Sequence, residues 1–445
     1  MIEAIEVEGV RCFSVRQKVP LRPLTVLVGE NSSGKSTFLA LTRIAWDIAK
    51  GKADIDFNEE PFQLGSFDQI ASSRGSRRIS AKEFHIGIEL QVGALRRAGR
   101  ELPRTTNVIG SFRRGIAPRL SEWSLTSGST SCVVSFGASS DALPELTLTG
   151  AGGESRAFNP GSSVRYRKDP SEASVLPFLF SRLFAWAHLR DDKTANANWP
   201  DHHSIEQLEY EIARLVQTTA PRPLAFAPIR SQPQRTYDPL LESPRPEGSH
   251  VPVTLARLSS EDVSAWRDLL KPLERFGKAS GLFSGIEVRR VGRKESDPFQ
   301  IQVNVAGQPF NLMDVGYGVS QILPIIVDLV RAPAGQTFLL QQPEVHLHPR
   351  AQAELGTFLA SLVSAQKKRF LVETHSDHLV DRIRMDVRDK RGLKADQVLI
   401  LYFERKAGQV EIHPIELDEH GNLRNVPDGY RSFFLEEDRR LLGIA

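Results

Sequence analysis

Residues 29–36 read GENSSGKS, and this octet constrains the chain more than any other feature. The run Thr25–Val28 before it (TVLV) suits a buried strand, and TFLALTRIAWDIAK behind it continues as a helix. Strand, Gly-rich loop and helix in that order make a P-loop in the context the motif requires. Gly29 and Gly34 let the backbone turn back and aim its N–H groups at phosphates, which sit at the positive end of the new helix. Lys35 is placed to reach the β- and γ-phosphates, and the Ser36 hydroxyl to ligate Mg²⁺. Gly29, Glu30, Asn31, Ser32, Ser33, Gly34, Lys35, Ser36 and Thr37 are therefore the expected contacts of a bound nucleoside triphosphate.

The 445 residues leave room for two or three domains and a sizeable core. Apolar residues make up 40% and charged residues 25%, an ordinary globular balance, and a net charge of +3 neither demands nor excludes a nucleic-acid partner. No apolar run has transmembrane length, and MIEAIEVEGV reads as a strand rather than a signal peptide. Cys12 and Cys132 give no disulfide framework and no zinc spacing, which fits a reducing cytoplasm.

Strands are expected at IEAIEVEG, at VPLRPLTVLVG closing on the P-loop, at residues 83–92, and at SCVVSFGA and LPELTLTG. Residues 93–170 are rich in Arg, Gly and Ser, and mobile parts are expected there. VLPFLFSRLFAWAHL and SIEQLEYEIARLVQTT read as helices, the latter with Ile205, Leu208, Ile212, Leu215 and Val216 at helical spacing. LAFAP at 224–228 reads as a short strand before a Pro/Arg-rich loop, 255–278 as a helix, and IEVRRV and FQIQVNVAG as strands. No repeats or sustained heptads occur, so no long coiled-coil arm is expected. In the last third, QTFLLQQPE, KRFLVETHS and VLILYFER read as strands, with a helix over 350–363. Strands alternating with helices predict an α/β fold whose mostly parallel sheet binds ligands at the carboxyl ends of its strands.

An ATPase of this type needs an acid at the end of a second strand, to hold the Mg²⁺ shell and orient water. Here that strand runs into Gln341, Gln342, Pro343 and Glu344. GENSSGKS, DVGYGVSQ at 314–321, QQPEVHLHP at 341–349 and ETHSDH at 373–378 occur in order. Together they resemble the ABC-type ATPase heads of the RecF, SMC and OLD branch. The nearest resemblance is to bacterial stand-alone AAA-type ATPases with a small C-terminal domain of unknown function, often found beside phage-defence genes. FAPIRSQPQRTY and VLILYFERKAG…DGYRSFF also resemble that family; the likeness covers both ends of the chain and is vague over 95–220.

The resemblance implies an ABC-type P-loop head with an antiparallel β subdomain and a helical insertion. Residues 1–173 would form an N-terminal ATPase lobe, 174–310 a mainly helical insertion with returning strands, 311–404 a C-terminal lobe, and 405–445 a small extension. Gly316, Gly318 and Ser320 would stand in the segment replacing the ABC signature, at a helix N-terminus facing the partner subunit's nucleotide. His375 would be the switch histidine that senses the γ-phosphate, His348 and Pro349 would lie in a dimer-contacting loop, and Arg11 would approach the nucleotide. Gln63 or Gln69 would be the Q-loop glutamine. Gln341 departs from the pattern, because similar sequences carry an acid there. An amide keeps the shape but loses the charge that complements Mg²⁺. Either the chain is a naturally slow ATPase or the residue is a Glu-to-Gln change made to trap ATP, the second being favoured. Gln341, Gln342, Glu344 and His375 are the candidate catalytic group, with Ser36 and Gln341 toward the metal.

Three histidines, His346, His348 and His375, are read as dimer-loop and switch residues rather than as a metal cluster, and His202 and His203 as solvated loop residues. The basic clusters Arg96–Arg97, Arg113–Arg114, Arg289–Arg290 and Lys367–Lys368–Arg369 are read as solvated surface before DNA contacts, since no aromatic residues interleave them. Arg230 and Arg235 are expected to be structural ion-pair partners, and Asp386 and Asp389 to sit on a charged helix. After Val398–Glu404 too few residues remain for a TOPRIM nuclease domain. The expected function is an ATPase using ATP and Mg²⁺ that dimerises through its ATP sites, with a higher oligomer left open, and that regulates a separately encoded effector in anti-phage defence. A RecF-like repair ATPase that binds DNA directly and a nucleotide-locked structural subunit are the alternatives; no membrane partner is expected.

Overall fold

The computed structural model describes residues 1–74, 79–91, 96–97, 100–101, 105–137, 144–158, 175, 202–217, 221–240, 243–294, 296–406 and 408–444. It divides into two compact units. The first comprises Met1–Leu21, Ser32–Arg222 and Arg405–Ile412; the second comprises Arg22–Asn31, Pro223–Glu404 and His413–Ala445.

The first unit is organised by an antiparallel sheet. In it β1 (Ile2–Glu8) lies between β2 (Gln17–Pro20) and β6 (Glu83–Gln91). The sheet continues through β9 (Thr105–Arg113), β10 (Arg119–Ser127), β11 (Thr130–Ser135), β12 (Glu145–Thr149) and β13 (Ser155–Phe158). Two short ribbons, β4 (Ser73–Arg74) with β5 (Ile79–Ser80) and β7 (Arg96–Arg97) with β8 (Arg100–Glu101), stand outside it. Side chains of a strand alternate between faces, so one buried face needs every second residue apolar. Phe84, Ile86, Ile88 and Leu90 supply that face in β6 and Cys132 and Val134 in β11, all buried. Helix α1 (Lys35–Ala49) packs on β6 and β9. Trp123 of β10 donates its indole N–H to the Ile48 carbonyl at 2.8 Å. Phe84 and Phe112 stack with centroids 5.3 Å apart, and Phe57 meets both edge-on. Such pairs add about 1 kcal/mol each beyond the area they bury. Gln69 caps the start of a single helical turn, α2 (Phe67–Ile70), by accepting from the Ser66 N–H.

The second unit carries a seven-stranded sheet in the order β14 (Leu224–Phe226), β18 (Thr337–Gln341), β19 (Arg369–Glu373), β3 (Leu24–Gly29), β20 (Val398–Lys406), β21 (Gln409–Leu417) and β22 (Leu423–Arg424). From β14 to β20 neighbouring strands are parallel. β18 and β19 are buried along their whole length, as strands covered on both faces must be. Helices α4 (Val251–Glu261), α5 (Val263–Ser280), α6 (Tyr317–Arg331), α7 (Pro349–Gln366) and α8 (Asp377–Arg388) belong to this unit. They place Leu273, Ile322, Ile325, Leu355, Leu359, Leu379 and Ile383 in one core with Val26, Phe338, Phe370 and Ile400. A small sheet of β15 (Gly285–Arg290), β16 (Phe299–Val305) and β17 (Gln308–Asn311) completes it. Among the described residues no helix is long and apolar enough to cross a membrane.

Several expectations change. The run VPLRPLTVLVG is two strands in two different sheets, divided at residues 21–23, where Pro23 denies the backbone a donor. The single helix expected over 255–278 is α4 and α5, because the Asp262 carboxylate accepts from the Ala265 N–H at 2.8 Å and starts a new helix. His202 and His203 open helix α3 (His202–Gln217) rather than a loop. Within 93–170, β7, β8, β9, β10 and β13 are built where only β11 and β12 were expected; residues 93–95, 98–99, 102–104, 138–143 and 159–170, and the helix expected at VLPFLFSRLFAWAHL apart from Val175, lie outside the described residues. Of the basic triplet, Lys368 and Arg369 are buried, so neither solvated surface nor DNA contact describes them. The Lys368 ammonium instead donates to the Leu329 and Val330 carbonyls at the end of α6. Asp386 does sit on the charged helix α8, and its side chain is buried there.

Candidate nucleotide site

In the second unit, Gln341 of β18, Glu373 of β19 and Leu27 of β3 stand level across three adjacent parallel strands. The chain leaves all three strands on the same edge, so Gly29, Glu344 and His375 follow just beyond the carboxyl ends, where open α/β sheets take ligands. Gln342 adopts a left-handed φ of 42° and donates its N–H to the Glu373 carbonyl at 2.8 Å, which turns the chain sharply after Gln341. That turn delivers Glu344 inward. One carboxylate oxygen of Glu344 accepts from the His375 N–H at 2.9 Å, while the other is buried with no partner among the described residues. Burial pushes the Glu344 carboxyl above the usual carboxylate range, against the His375 and Thr374 hydrogen bonds and the charge of Arg230. The amide nitrogen of Gln341 is also buried and unpartnered. Two buried polar groups with unmet hydrogen-bonding capacity at one strand end are costly unless a ligand completes them.

In the first unit, Ser32–Ser36 lead into α1. Ser32 and Gly34 have left-handed φ values of 59° and 90°. A Cβ on Gly34 would stand 2.6 Å from Cys12 Sγ and 2.9 Å from the Phe13 ring, so no larger residue fits. Ser33 and Lys35 are buried, and Lys35 Nζ lies 3.4 Å from Ser33 Oγ; Asn31, Ser32 and Ser36 are exposed. Arg405 donates to the Ser32 carbonyl. This residue was missed in the sequence, although it stands in the quoted VLILYFERKAG. Arg11, left-handed at φ 45°, donates to the Thr37 hydroxyl at 3.0 Å and to the Leu64 carbonyl at 2.8 Å. Of the two Q-loop candidates, Gln69 commits its side-chain oxygen to the α2 cap, and Gln63 is exposed.

The signature-like segment opens α6, with Gly316 as its N-cap. Gly316 and Tyr317 are exposed, and a Cβ on Gly318 would stand 2.7 Å from the His346 carbonyl, so only glycine lets the two segments approach this closely. Tyr317 meets the His346 ring edge-on at 4.8 Å. Ser320 is buried and donates its hydroxyl to the Tyr317 carbonyl at 2.9 Å, so that hydroxyl faces its own helix. His348 caps α7, accepting from the Arg350 N–H, and together with Pro349 and His375 it is exposed. The expected pairing of Arg235 holds: its guanidinium grips Asp314 through two bonds of 2.6 and 2.9 Å. Arg230 does not pair in that way. It is 2% exposed, and among the described residues its guanidinium donates only to the Pro228 carbonyl, at 2.9 Å.

Each unit carries oxygen donors of the kind Mg²⁺ takes. A hard divalent cation takes oxygen ligands and keeps several waters. In the first unit Ser36 offers an exposed hydroxyl; in the second, Glu344 offers a buried carboxylate oxygen without a partner among the described residues, and Gln341 an amide whose unpartnered atom is its nitrogen.

Residues 164–381 match the family described as "AAA domain, putative AbiEii toxin, Type IV TA system", and residues 393–442 match DUF3696, a family of unknown function. The first match takes in DVGYGVSQ, QQPEVHLHP and ETHSDH, while the P-loop precedes it. No curated protein matches the sequence. Similar solved structures include the Smc head bound to the C-winged helix domain of ScpA, at 10% identity over 94% of this chain and 98% of that chain, TM-score 0.48. A Smc head with an extended coiled coil bound to the C-terminal domain of ScpA, derived from Pyrococcus furiosus, shares 10% identity over 98% of this chain and 99% of that one, TM-score 0.44. The SMC head domain from Thermotoga maritima shares 12% over 94% and 99%, TM-score 0.35. The protein thus has a mixed α/β fold and carries an ATPase domain of the AbiEii type followed by a DUF3696 domain.

Proposed function

We propose that the chain binds ATP with Mg²⁺ on Gly29–Thr37 and hydrolyses it slowly, with Glu344 as the carboxylate that orients the attacking water. The observation that carries this reading is the common edge of β18, β19 and β3, where Gln341, Glu344 and His375 emerge beside the strand that feeds the P-loop. Lys35 balances phosphate charge, and the loop N–H groups and the α1 N-terminus receive the phosphate oxygens. Mg²⁺ would be held by the Ser36 hydroxyl and would supply positive charge against that developing on the transferred phosphoryl group. Glu344 accepts a proton from water through its unpartnered oxygen, and the His375 N–H fixes the other oxygen so that the carboxylate cannot rotate away. An amide at 341 supplies an oxygen but no charge, which is the physical reason for slow turnover.

In this reading ATP closes a two-fold dimer of heads, with the exposed Gly316–Tyr317 end of α6 against the partner's nucleotide, and a separately encoded effector reads the closed state. Anti-phage defence is the biological setting we favour, in keeping with the toxin–antitoxin description of the matched family. Direct DNA binding is less well supported, since Lys368 and Arg369 are buried. Mass measurement with and without Mg·ATP, paired with phosphate release by the chain and by Gln341→Glu, tests the proposal. A dimer only with ATP, and at least about tenfold faster release by Gln341→Glu, roughly 1.4 kcal/mol of barrier, are expected. A monomer under saturating Mg·ATP, or equal rates, would sink it.

A further inference from the structure

Arg230 and Gln321 take no part in the scheme above, yet both are 2% exposed and both carry polar atoms without partners among the described residues. β14 runs parallel to β18 with Phe226 opposite Leu340. Arg230 and Glu344 therefore lie equally far beyond paired residues, at the carboxyl ends of neighbouring strands. The guanidinium makes one hydrogen bond, to the Pro228 carbonyl, leaving Nε and Nη2 unpaired, and the charge it senses is that of Glu344. The Arg230 backbone N–H donates to the Gln321 side-chain oxygen at 3.3 Å. Gln321 sits in α6, just past Gly316–Ser320.

A cation buried to this degree is expensive to hold without a counter-charge. Structural arginines meet that cost with a forked carboxylate pair, as Arg235 does with Asp314. Arg230 leaves its fork largely empty and lies under the field of a carboxylate whose own second oxygen is empty. We propose that Arg230 is a positioning residue for ATP hydrolysis: it aligns the Glu344 carboxylate toward the water, and Gln321 makes that alignment depend on where α6 stands. The segment facing the partner's nucleotide would then set whether the carboxylate is ready to act, so hydrolysis waits for a closed dimer.

This inference rests on the ATPase reading, and the test separates the two. ATP affinity and single-turnover hydrolysis are measured on the full chain and on Glu344→Gln, Arg230→Met, Arg230→Lys and Gln321→Leu. The expected result is that Arg230→Met lowers the hydrolysis rate at least about tenfold while ATP affinity stays within about twofold, and that Arg230→Lys recovers most of the rate. Gln321→Leu should lower the rate less, and add nothing when combined with Arg230→Met, because both act through one link. Should Arg230→Met not fold, the Gln321→Leu rate at unchanged affinity decides alone. Glu344→Gln without effect would overturn the ATPase reading. Loss of hydrolysis in Glu344→Gln, with an unchanged rate or an equal loss of affinity in Arg230→Met and Gln321→Leu, would overturn the inference by itself.

Discussion

Arg222 and Arg230 are eight positions apart in sequence and belong to different units. In the first unit Arg222 grips Asp47 and Glu59 together, through bonds of 2.5 to 2.9 Å, while part of its side chain stays in water. In the second unit Arg230 is almost wholly buried and has one carbonyl for a partner. Burial without pairing pulls its guanidinium down to about 10, whereas pairing holds Arg222 above its ordinary value against the pull of burial. The first arrangement stores its interaction energy in the fold. The second leaves polar capacity unspent at the strand ends, and unspent capacity in a buried place marks where a ligand or a reaction completes the structure.

Removing the ligand itself is the harshest way to strain this contrast. Lys35→Ala should weaken ATP binding at least about a hundredfold, roughly 2.7 kcal/mol, because backbone N–H groups cannot replace an ammonium against phosphate charge. Unchanged affinity by calorimetry would mean that the P-loop binds no nucleotide.

Glu344→Gln should abolish detectable hydrolysis and at the same time raise the urea midpoint, since an uncompensated buried carboxylate is replaced by a neutral group. The sign follows from linkage: a carboxyl whose folded pKa is raised adds stability below its unfolded value and loses it as pH rises through the folded value. For the same reason hydrolysis by the unaltered chain should fall on acidification at a pH above the ordinary carboxylate range. A lower midpoint for Glu344→Gln would break the contrast, since Glu344 would then be a structural group.

Arg222→Met should do the reverse. It takes the forked partner from Asp47, which is buried and keeps Lys52 at 3.0 Å, and should destabilise the fold by about 2 kcal/mol. Hydrolysis at saturating Mg·ATP should stay within about twofold. The smallest effect is expected for Lys368→Met, about 1 kcal/mol, because relief of burying a cation offsets the two carbonyls left without a donor. That variant sharpens the rule. A satisfied buried cation in the second unit should behave like Arg222, so satisfaction rather than location would decide the outcome.

The parallel sheet was legible because its strands are buried on both faces and read as unbroken apolar runs, FLL and FLV among them. The P-loop was legible because three turn-forming positions and a lysine recur at fixed spacing. β9 and β10 escaped notice for the opposite reason: half of each faces outward and carries Thr, Asn, Ser, Glu and Arg, which also furnish loops. The buried state of Arg230, Lys368 and Arg369 could not be read from a charge run, since sequence shows charge but not which carbonyl or carboxylate arrives beside it. The one available signal for Arg230 was its position just past a short strand, the same signal that identified Glu344. Arg405, near the carboxyl end of β20, offered it too.

The position of β3 has a consequence for how the protein is made. This strand is synthesised well before its two neighbours in the sheet, Phe370–Glu373 and Val398–Phe403. Until those segments leave the ribosome, Leu24–Gly29 is an apolar stretch without a sheet to enter. Sheets closed by such distant pairings form slowly and expose sticky intermediates. A nascent or truncated chain would therefore carry the sequence proposed to bind phosphate without the strand that leads into it. The proposed affinity for nucleotide would then depend on those later strands, a checkpoint that a fragment without them cannot pass.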